Sequence, residues 1–374
     1  MADTPKATSQ QDQRHADQNQ IKAPSITLPK GGGAMRGIGE KFGANPVTGT
    51  GAMTVPIATS PGRSGFGPQL SLSYDSGAGN GPFGFGWHLS VPAITRKTDK
   101  GLPQYRDGEE SDVFILSGAE DLIPLLSNAG TAWQRQPTTR VVAGVTYRIQ
   151  PYRPRVEGLF ARVERWTDMQ TGEIHWRSIS RENVTTLYGQ DNTSRIFDPT
   201  DAAHPQRIFS WLICASYDDQ GNAMVYEYKA ENADNVDLAP AHESNRSALS
   251  RSANRYLKRI RYGNLPSHLV QTDLTKMNWL FEVVFDYGEH DIQTPQPAEA
   301  HPWLCRNDPF SSYRSSFEVR TYRLCQRVLM FHHFPNEANV GQDCLVRSTD
   351  FVYQNTRSNP DDLRQGNPLA SCIA

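Results

Sequence analysis

The residues able to do chemistry in this 374-residue chain are few, and their spacing argues against most of what they could do. Gly79-Asn80-Gly81-Pro82-Phe83-Gly84 satisfies the G-x-G-x-x-G string that brings backbone N–H groups against a pyrophosphate. That chemistry needs a strand feeding a helix whose N-terminus meets the phosphate. Pro82 and the surrounding Gly and Phe residues predict a glycine-aromatic turn beside Trp87 instead. His332 and His333 are adjacent, so on a strand they point to opposite faces and cannot converge on one metal. Asp107, Glu109, Glu110 and Asp112 form an acidic cluster whose spacing matches no EF-hand, which predicts a solvated turn. Arg255, Lys258, Arg259 and Arg261 interleave with Tyr256 and Tyr262 in the manner of a nucleic-acid platform, but a strand with a charged outer face explains the same letters. No Walker A string, His-Glu-x-x-His or Gly-x-Ser-x-Gly occurs. No residue is therefore assigned as catalytic, cofactor-binding or metal-ligating, and no cofactor is expected.

Composition restricts the classes further. Lys plus Arg is 38 against Asp plus Glu 40, so no single-sign field exists to hold nucleic acid by counterion release. Hydrophobic residues at 37% are too many for a mostly disordered protein, and 29 Gly with 25 Pro suit short strands and loops better than long helices. Cys214, Cys305, Cys325, Cys344 and Cys372 form no Cys-x-x-Cys pair and are odd in number, which reads as reduced thiols rather than a disulfide framework. The N-terminus lacks the apolar region of a Sec signal peptide, and no apolar stretch approaches the length of a membrane span.

The elements that must position these residues read as strands. Residues 1–24 are rich in Gln, Asp and Asn and predict a disordered leader. A glycine cluster from Gly31 to Gly43 reads as a loop. Met53, Val55 and Ile57, then Leu70, Leu72 and Tyr74, then Trp87, Leu89 and Val91 alternate with mostly polar or small residues, giving strands with one apolar face. Val113 to Leu116 predicts a strand covered on both faces. Met169-Gln170-Thr171-Gly172 predicts a hairpin loop between strands near Leu159–Trp166 and Glu173–Ser180, and Asp218 to Asn222 another between Trp211–Tyr217 and Val225–Tyr228. Phe281, Val283, Phe285 and Tyr287 predict a half-buried strand, and Arg320 to Phe334 one more. Asn232–Ser252 and Asp291–Pro302 read as polar connections, the first carrying one short helix. Trp87, Trp133, Trp166 and Trp176 suggest core positions, with a glycan-binding module as the rival explanation. The expected fold is mainly β, with many short antiparallel strands and hairpins in a large curved sheet.

Three stretches are idiosyncratic: Ile57-Ala58-Thr59-Ser60-Pro61-Gly62-Arg63, Leu72-Ser73-Tyr74-Asp75-Ser76-Gly77 and Gly84-Phe85-Gly86-Trp87. With the surrounding Leu28–Leu125 segment they closely resemble the N-terminal domain of the B component of bacterial insecticidal toxin complexes, shared with the Salmonella virulence plasmid protein B family. The likeness runs over 25–369. Within it, Tyr217-Asp218-Asp219-Gln220-Gly221-Asn222 with Tyr226 and Tyr228 resembles one tyrosine-aspartate repeat of Rhs-type shell proteins.

The resemblance implies a noncatalytic domain in the wall of a hollow β-shell, closed with a C component around a cytotoxic effector. In that family a β-propeller docks the shell on an A component, and residues 370–374 fall about where the propeller would begin, the mark of a truncated product. The other branch implies a carrier or export domain of a virulence toxin related to actin-modifying ADP-ribosyltransferases. The catalytic domain is absent here, since no Glu-x-Glu pair occurs. Either branch implies a protein folded in the bacterial cytoplasm and found outside the cell without a Sec signal. The expected partners are the C component and the remaining B segments, with no nucleic acid and no direct membrane insertion.

Overall fold

The computed structural model describes residues 41–353, apart from 45–49, 118–119, 129, 131, 157–159, 202–206 and 339, together with 370–373. The 1–24 leader and most of the Gly31–Gly43 cluster lie outside the described residues. The end of that cluster is a strand rather than a loop, because Lys41–Ala44 pairs antiparallel with Gly51–Thr54.

Eight antiparallel strands close into a barrel. Around the ring they are Ala93–Arg96, Phe114–Leu116, Glu120–Pro124, Val145–Pro154, Arg162–Asp168, Ile174–Ile179, Thr185–Tyr188 and Ile208–Tyr217. The hairpin loop 169–172 turns as its letters require, with Gly172 at φ 76° and the Asp168 carboxylate accepting from the Gln170 and Thr171 N–H groups. The last strand makes the closure. Along one edge, Ser210–Leu212 pair with Thr95–Ala93, while Ala215–Tyr217 pair with Val225–Ala223. Its opposite edge is followed by Thr185–Tyr188 and then Arg195–Phe197.

A barrel of this strand number is filled by side chains, and Phe114, Trp176 and Trp211 fill this one. Their rings meet edge to face at 4.9, 5.6 and 6.0 Å. The Trp211 Nε1–H donates to the Ile174 carbonyl at 2.7 Å. Gly189, at φ +60°, passes so close that a Cβ there would stand 2.4 Å from the Trp211 ring. Phe114 and Leu116 are buried, Ile115 is half-buried and Val113 is 43% exposed, so this strand alternates instead of being covered on both faces.

From the barrel an open sheet continues through Ala223–Ala230, Arg255–Asn264, Trp279–Asp286, Arg327–Phe334, Gly341–Tyr353 and Ala370–Ile373. A small sheet of Lys41–Ala44, Gly51–Ile57, Leu70–Asp75 and Trp87–Leu89 covers one face, packing Val55, Ile57, Leu70, Leu72 and Trp87 against Tyr262, Phe285 and Met330. The other face is covered as well. Segment 291–302 lies over it, Arg259 Nη2 donating to the Pro297 carbonyl at 2.7 Å, and Val284, Leu329 and Phe331 form a separate cluster. The Phe281–Tyr287 strand is thus buried on both faces along most of its length, not on one. Residues 320–334 are two strands, Val319–Thr321 and Arg327–Phe334, since Tyr322 and Arg323 are drawn into a polar network between them. Ala248–Arg251 is a short helix in the 232–252 connection, opened by a Ser247–Ser250 capping box.

Trp211→Ala is expected to lower unfolding stability by about 3–5 kcal/mol by opening a cavity in the barrel. Trp133→Ala, at a side chain 68% exposed, is expected to stay within about 0.5 kcal/mol. Urea denaturation of the two variants checks both.

Candidate functional site

The glycine string is a miniature hairpin, Asn80–Gly81 against Gly84–Phe85, and no helix follows it. It holds an arginine rather than a phosphate: Arg306 donates to the Gly81 carbonyl at 2.9 Å and to Asn80 Oδ1 at 3.1 Å. Phe83 enters the core edge to face with Phe285 and Phe351.

The acidic cluster is not a solvated turn. Asp107 and Asp112 each sit 2.7 Å from the fully buried guanidinium of Arg96, whose Nε–H donates to the Ile208 carbonyl. The Tyr105, Phe114 and Trp211 rings surround that cation at 4.6 to 5.3 Å from their centroids. Glu110 pairs with Arg135, leaving Glu109 on the exposed Arg106. The loop is a lid tied over one end of the barrel.

On Arg255–Asn264 the charged outer face holds for Arg259 and Arg261, which pair with Glu282 at 2.9 Å and Glu227 at 3.0 Å. Lys258 departs from it. A bulge between Glu227 and Tyr228 leaves Lys258 as the extra residue, and its side chain is buried. Its ammonium donates to the Phe285 carbonyl at 2.9 Å and ion-pairs with Glu289. Burial pulls that ammonium down to about 8, while Glu299 and Asp286 act the other way.

His332 and His333 do face opposite sides. His332 Nε2 lies 2.6 Å from Ser60 Oγ with its ring against Phe281, and burial lowers its pKa. His333 lies between Glu282 and Asp343, and the hydrogen bond to Glu282 raises its pKa. Trp87, Trp166 and Trp176 are buried and Trp133 is exposed. Cys214, Cys305, Cys325 and Cys344 are free thiols. Cys372 lies outside the residues whose side chains are described. A shallow cleft of about 340 Å³ beside the Asp218–Asn222 turn is lined by Asn183, Tyr217, Asp219 and His268. Asp218 itself is spent on the turn, accepting from the Gln220 and Asn222 backbone and the Asn222 side chain.

Sequence reasoning missed two buried constellations. Asp286, Glu289 and His290 bring ligand atoms within 4.8 Å of one another. The set is a poor metal cage because its charge is already met. Asp286 accepts from the Gly288 and Glu289 N–H groups and pairs with Arg327 at 2.6 Å, while Glu289 faces Lys258. His290 Nδ1 donates to the Gln296 carbonyl.

The second constellation ties the 231–254 connection to residues 303–323. Glu231 is its hub, pairing with the fully buried Arg323 at 2.8 Å and accepting from the Tyr256 hydroxyl at 2.6 Å and the Tyr322 N–H at 2.8 Å. Glu243 accepts from Tyr322 and pairs with Arg320 at 2.7 Å. Burial pushes the Glu243 carboxyl up, but Tyr322, Arg320 and Arg246 outweigh it and hold the pKa below its ordinary value. Nothing in the local letters marked Glu231 or Glu243, which stand at and within a polar stretch and find their arginines about 80 to 90 residues away. Among the described residues, these charges are consumed by one another, an arrangement that fixes loops. Arg323→Leu is expected to cost about 3–5 kcal/mol by stranding the Glu231 carboxylate in the interior, measured as a fall in the denaturation midpoint.

Comparison with known proteins fits this architecture. Residues 45–334 match the model of the family described as Salmonella virulence plasmid 65kDa B protein. Proteins named Mono(ADP-ribosyl)transferase SpvB from Salmonella typhimurium (strain 14028s / SGSC 2262) and Salmonella dublin are each 39% identical over 332 residues, covering 86% of this chain and 53% and 52% of theirs. The chain thus spans about half the length of these relatives. The N-terminal domain of effector protein SpvB from Salmonella typhimurium strain LT2 superposes with a TM-score of 0.71 at 38% identity, over 80% of this chain and 93% of that one. The crystal structure of TcdB2-TccC3 superposes with a TM-score of 0.73 at 32% identity, over 89% of this chain and 16% of that one. The mainly β reading and the family resemblance both stand, and the chain belongs to the Salmonella virulence plasmid 65kDa B protein family.

Proposed function

We propose that this chain is a noncatalytic structural domain of a bacterial toxin-complex B subunit, contributing strands to a β-shell that encloses and delivers a cytotoxic effector. The observation that carries the reading is its likeness to TcdB2-TccC3, where the same fold is 16% of a much larger chain. The sheet supports it physically. Gly341–Tyr353 is a 13-residue strand whose outer edge, among the described residues, is paired only at Asp350–Tyr353. Leu345, Val346 and Val352 are exposed along it. A long, partly apolar edge is a template for further strands, which is what a shell wall supplies. The partners on this reading are a C component and later B segments, and the working location is outside the cell after export without a Sec signal.

The carrier reading has its own support in the 93% coverage of the SpvB N-terminal domain. The two differ in partner: retention of a purified C component favours the shell, and dependence on a fused or separately encoded effector favours the carrier. On either reading the chemistry belongs to other polypeptide. Purified chain incubated with NAD and actin is therefore expected to transfer no ADP-ribose, read by label on actin, and labelling above a no-enzyme control overturns the noncatalytic assignment. Alone, with a reductant present, the chain is expected to self-associate through its open edge in size-exclusion chromatography with light scattering. A compact monomer at every concentration counts against the shell reading.

A further inference from the structure

We propose that His333 is a pH-operated clasp that holds the outermost long strand, Gly341–Tyr353, onto the sheet. The inference stands on local geometry and does not require the shell reading. His333 sits on Arg327–Phe334, with an acceptor at each ring nitrogen. Nε2 lies 3.0 Å from Glu282 Oε2 on the strand to one side, and Nδ1 meets the Gln342 carbonyl and, at 3.1 Å, Asp343 Oδ1 on the strand to the other. A carbonyl and carboxylates accept only, so both ring nitrogens must donate, and only the imidazolium does that.

The backbone is built for this contact. The ladder pairs His332 with Cys344 and Phe334 with Gly341, so two residues, Gln342 and Asp343, stand opposite His333 alone. Such a bulge interrupts ladder hydrogen bonds, and the histidine side chain replaces them where the strand would otherwise be weakest.

The surrounding charges define the titration. From Arg255–Asn264, Arg259 and Arg261 approach Glu282 Oε1 at 2.9 and 3.9 Å, and Arg261 is shared with Glu227 of the next strand at 3.0 Å. Glu282 therefore remains ionised and faces the ring as a carboxylate. Asp343 supplies a second negative charge, 45% exposed. His332 is turned to the opposite face and to Ser60. The folded-state pKa of His333 is raised above 6.5, so the stability it gives is complete below the unfolded value and is lost as pH rises through the folded one. A neutral ring donates from one nitrogen and sets a lone pair against an acceptor at the other. The strand end then loosens and its backbone opens to solvent.

Hydrogen exchange of the full chain, followed by mass spectrometry on peptides within 341–350 and corrected for intrinsic rates, tests this from about pH 5.5 to about pH 9, either side of the ordinary histidine range. Protection is expected to fall with rising pH by about tenfold for each unit by which the folded pKa exceeds the unfolded one. His333→Arg, a permanent cation, is expected to keep protection throughout, His333→Gln to lack it throughout, and His332→Gln to leave the step in place. A wild-type profile flat in pH, a step that survives His333→Gln, or one that disappears with His332→Gln overturns the clasp. The wild-type profile decides alone if a variant fails to fold.

Discussion

The architecture depends on how one ten-residue strand, Ile208–Tyr217, divides its backbone hydrogen bonds. Ser210–Leu212 give theirs to Ala93–Thr95 and close the barrel, whereas Ala215–Tyr217 give theirs to Ala223–Val225 and begin the open sheet. Unmet backbone groups in a buried strand cost far more than the modest net gain of each bond, so the strand must be paired along its whole length. Two partners sharing one edge meet that demand. Trp211, on the same strand, fixes the barrel half by filling the interior and bonding to the Ile174 carbonyl.

Buried charge then fixes the connections to this frame. Arg96, Arg195 and Arg323 are among the largest fully buried side chains, each with at least one carboxylate and one backbone carbonyl around its guanidinium. Such pairs give little net stability over apolar replacements, but breaking one is costly. Their effect is to penalise wrong loop placement. Arg96 ties the 97–113 lid to the barrel, and Glu231 with Arg323 ties the 232–252 connection to the 303–323 segment. Loops that would otherwise move are held by partners the chain cannot exchange.

The division between what was legible in the letters and what was not follows from range. Turn chemistry is local, so Met169–Gly172 and Asp218–Asn222 announced their hairpins, and alternation placed the strands at Gly51–Ile57 and Leu70–Asp75. Burial on a second face is not local. The strand at Phe281–Tyr287 reads as half-buried because the letters do not show that segment 291–302 covers its second face, and Lys258 groups with the outer charges although its partners, the Phe285 carbonyl and Glu289, lie in other elements. The acidic loop failed for the same reason, since Asp107 and Asp112 are charges whose counterion, Arg96, lies in another element. The carboxylates and arginines that could have suggested an active site are those most fully used in holding the protein together.

Closure also separates the two halves by what each demands of its surroundings. In the barrel all eight strands pair on both sides, so the ring carries its own core. In the open sheet the ladders hold as far as Gly341–Tyr353, where both faces and, among the described residues, much of one edge are exposed. A backbone edge cannot be satisfied by side-chain substitution, only by water, by charge that discourages pairing, or by another strand. Arg347 and Asp350 provide some of that charge and Leu345 and Val346 work against it. His333, on the neighbouring strand opposite the start of this one, is also the residue whose hydrogen bonds depend on a proton. The least self-sufficient part of the sheet is thus the part whose attachment can respond to the medium.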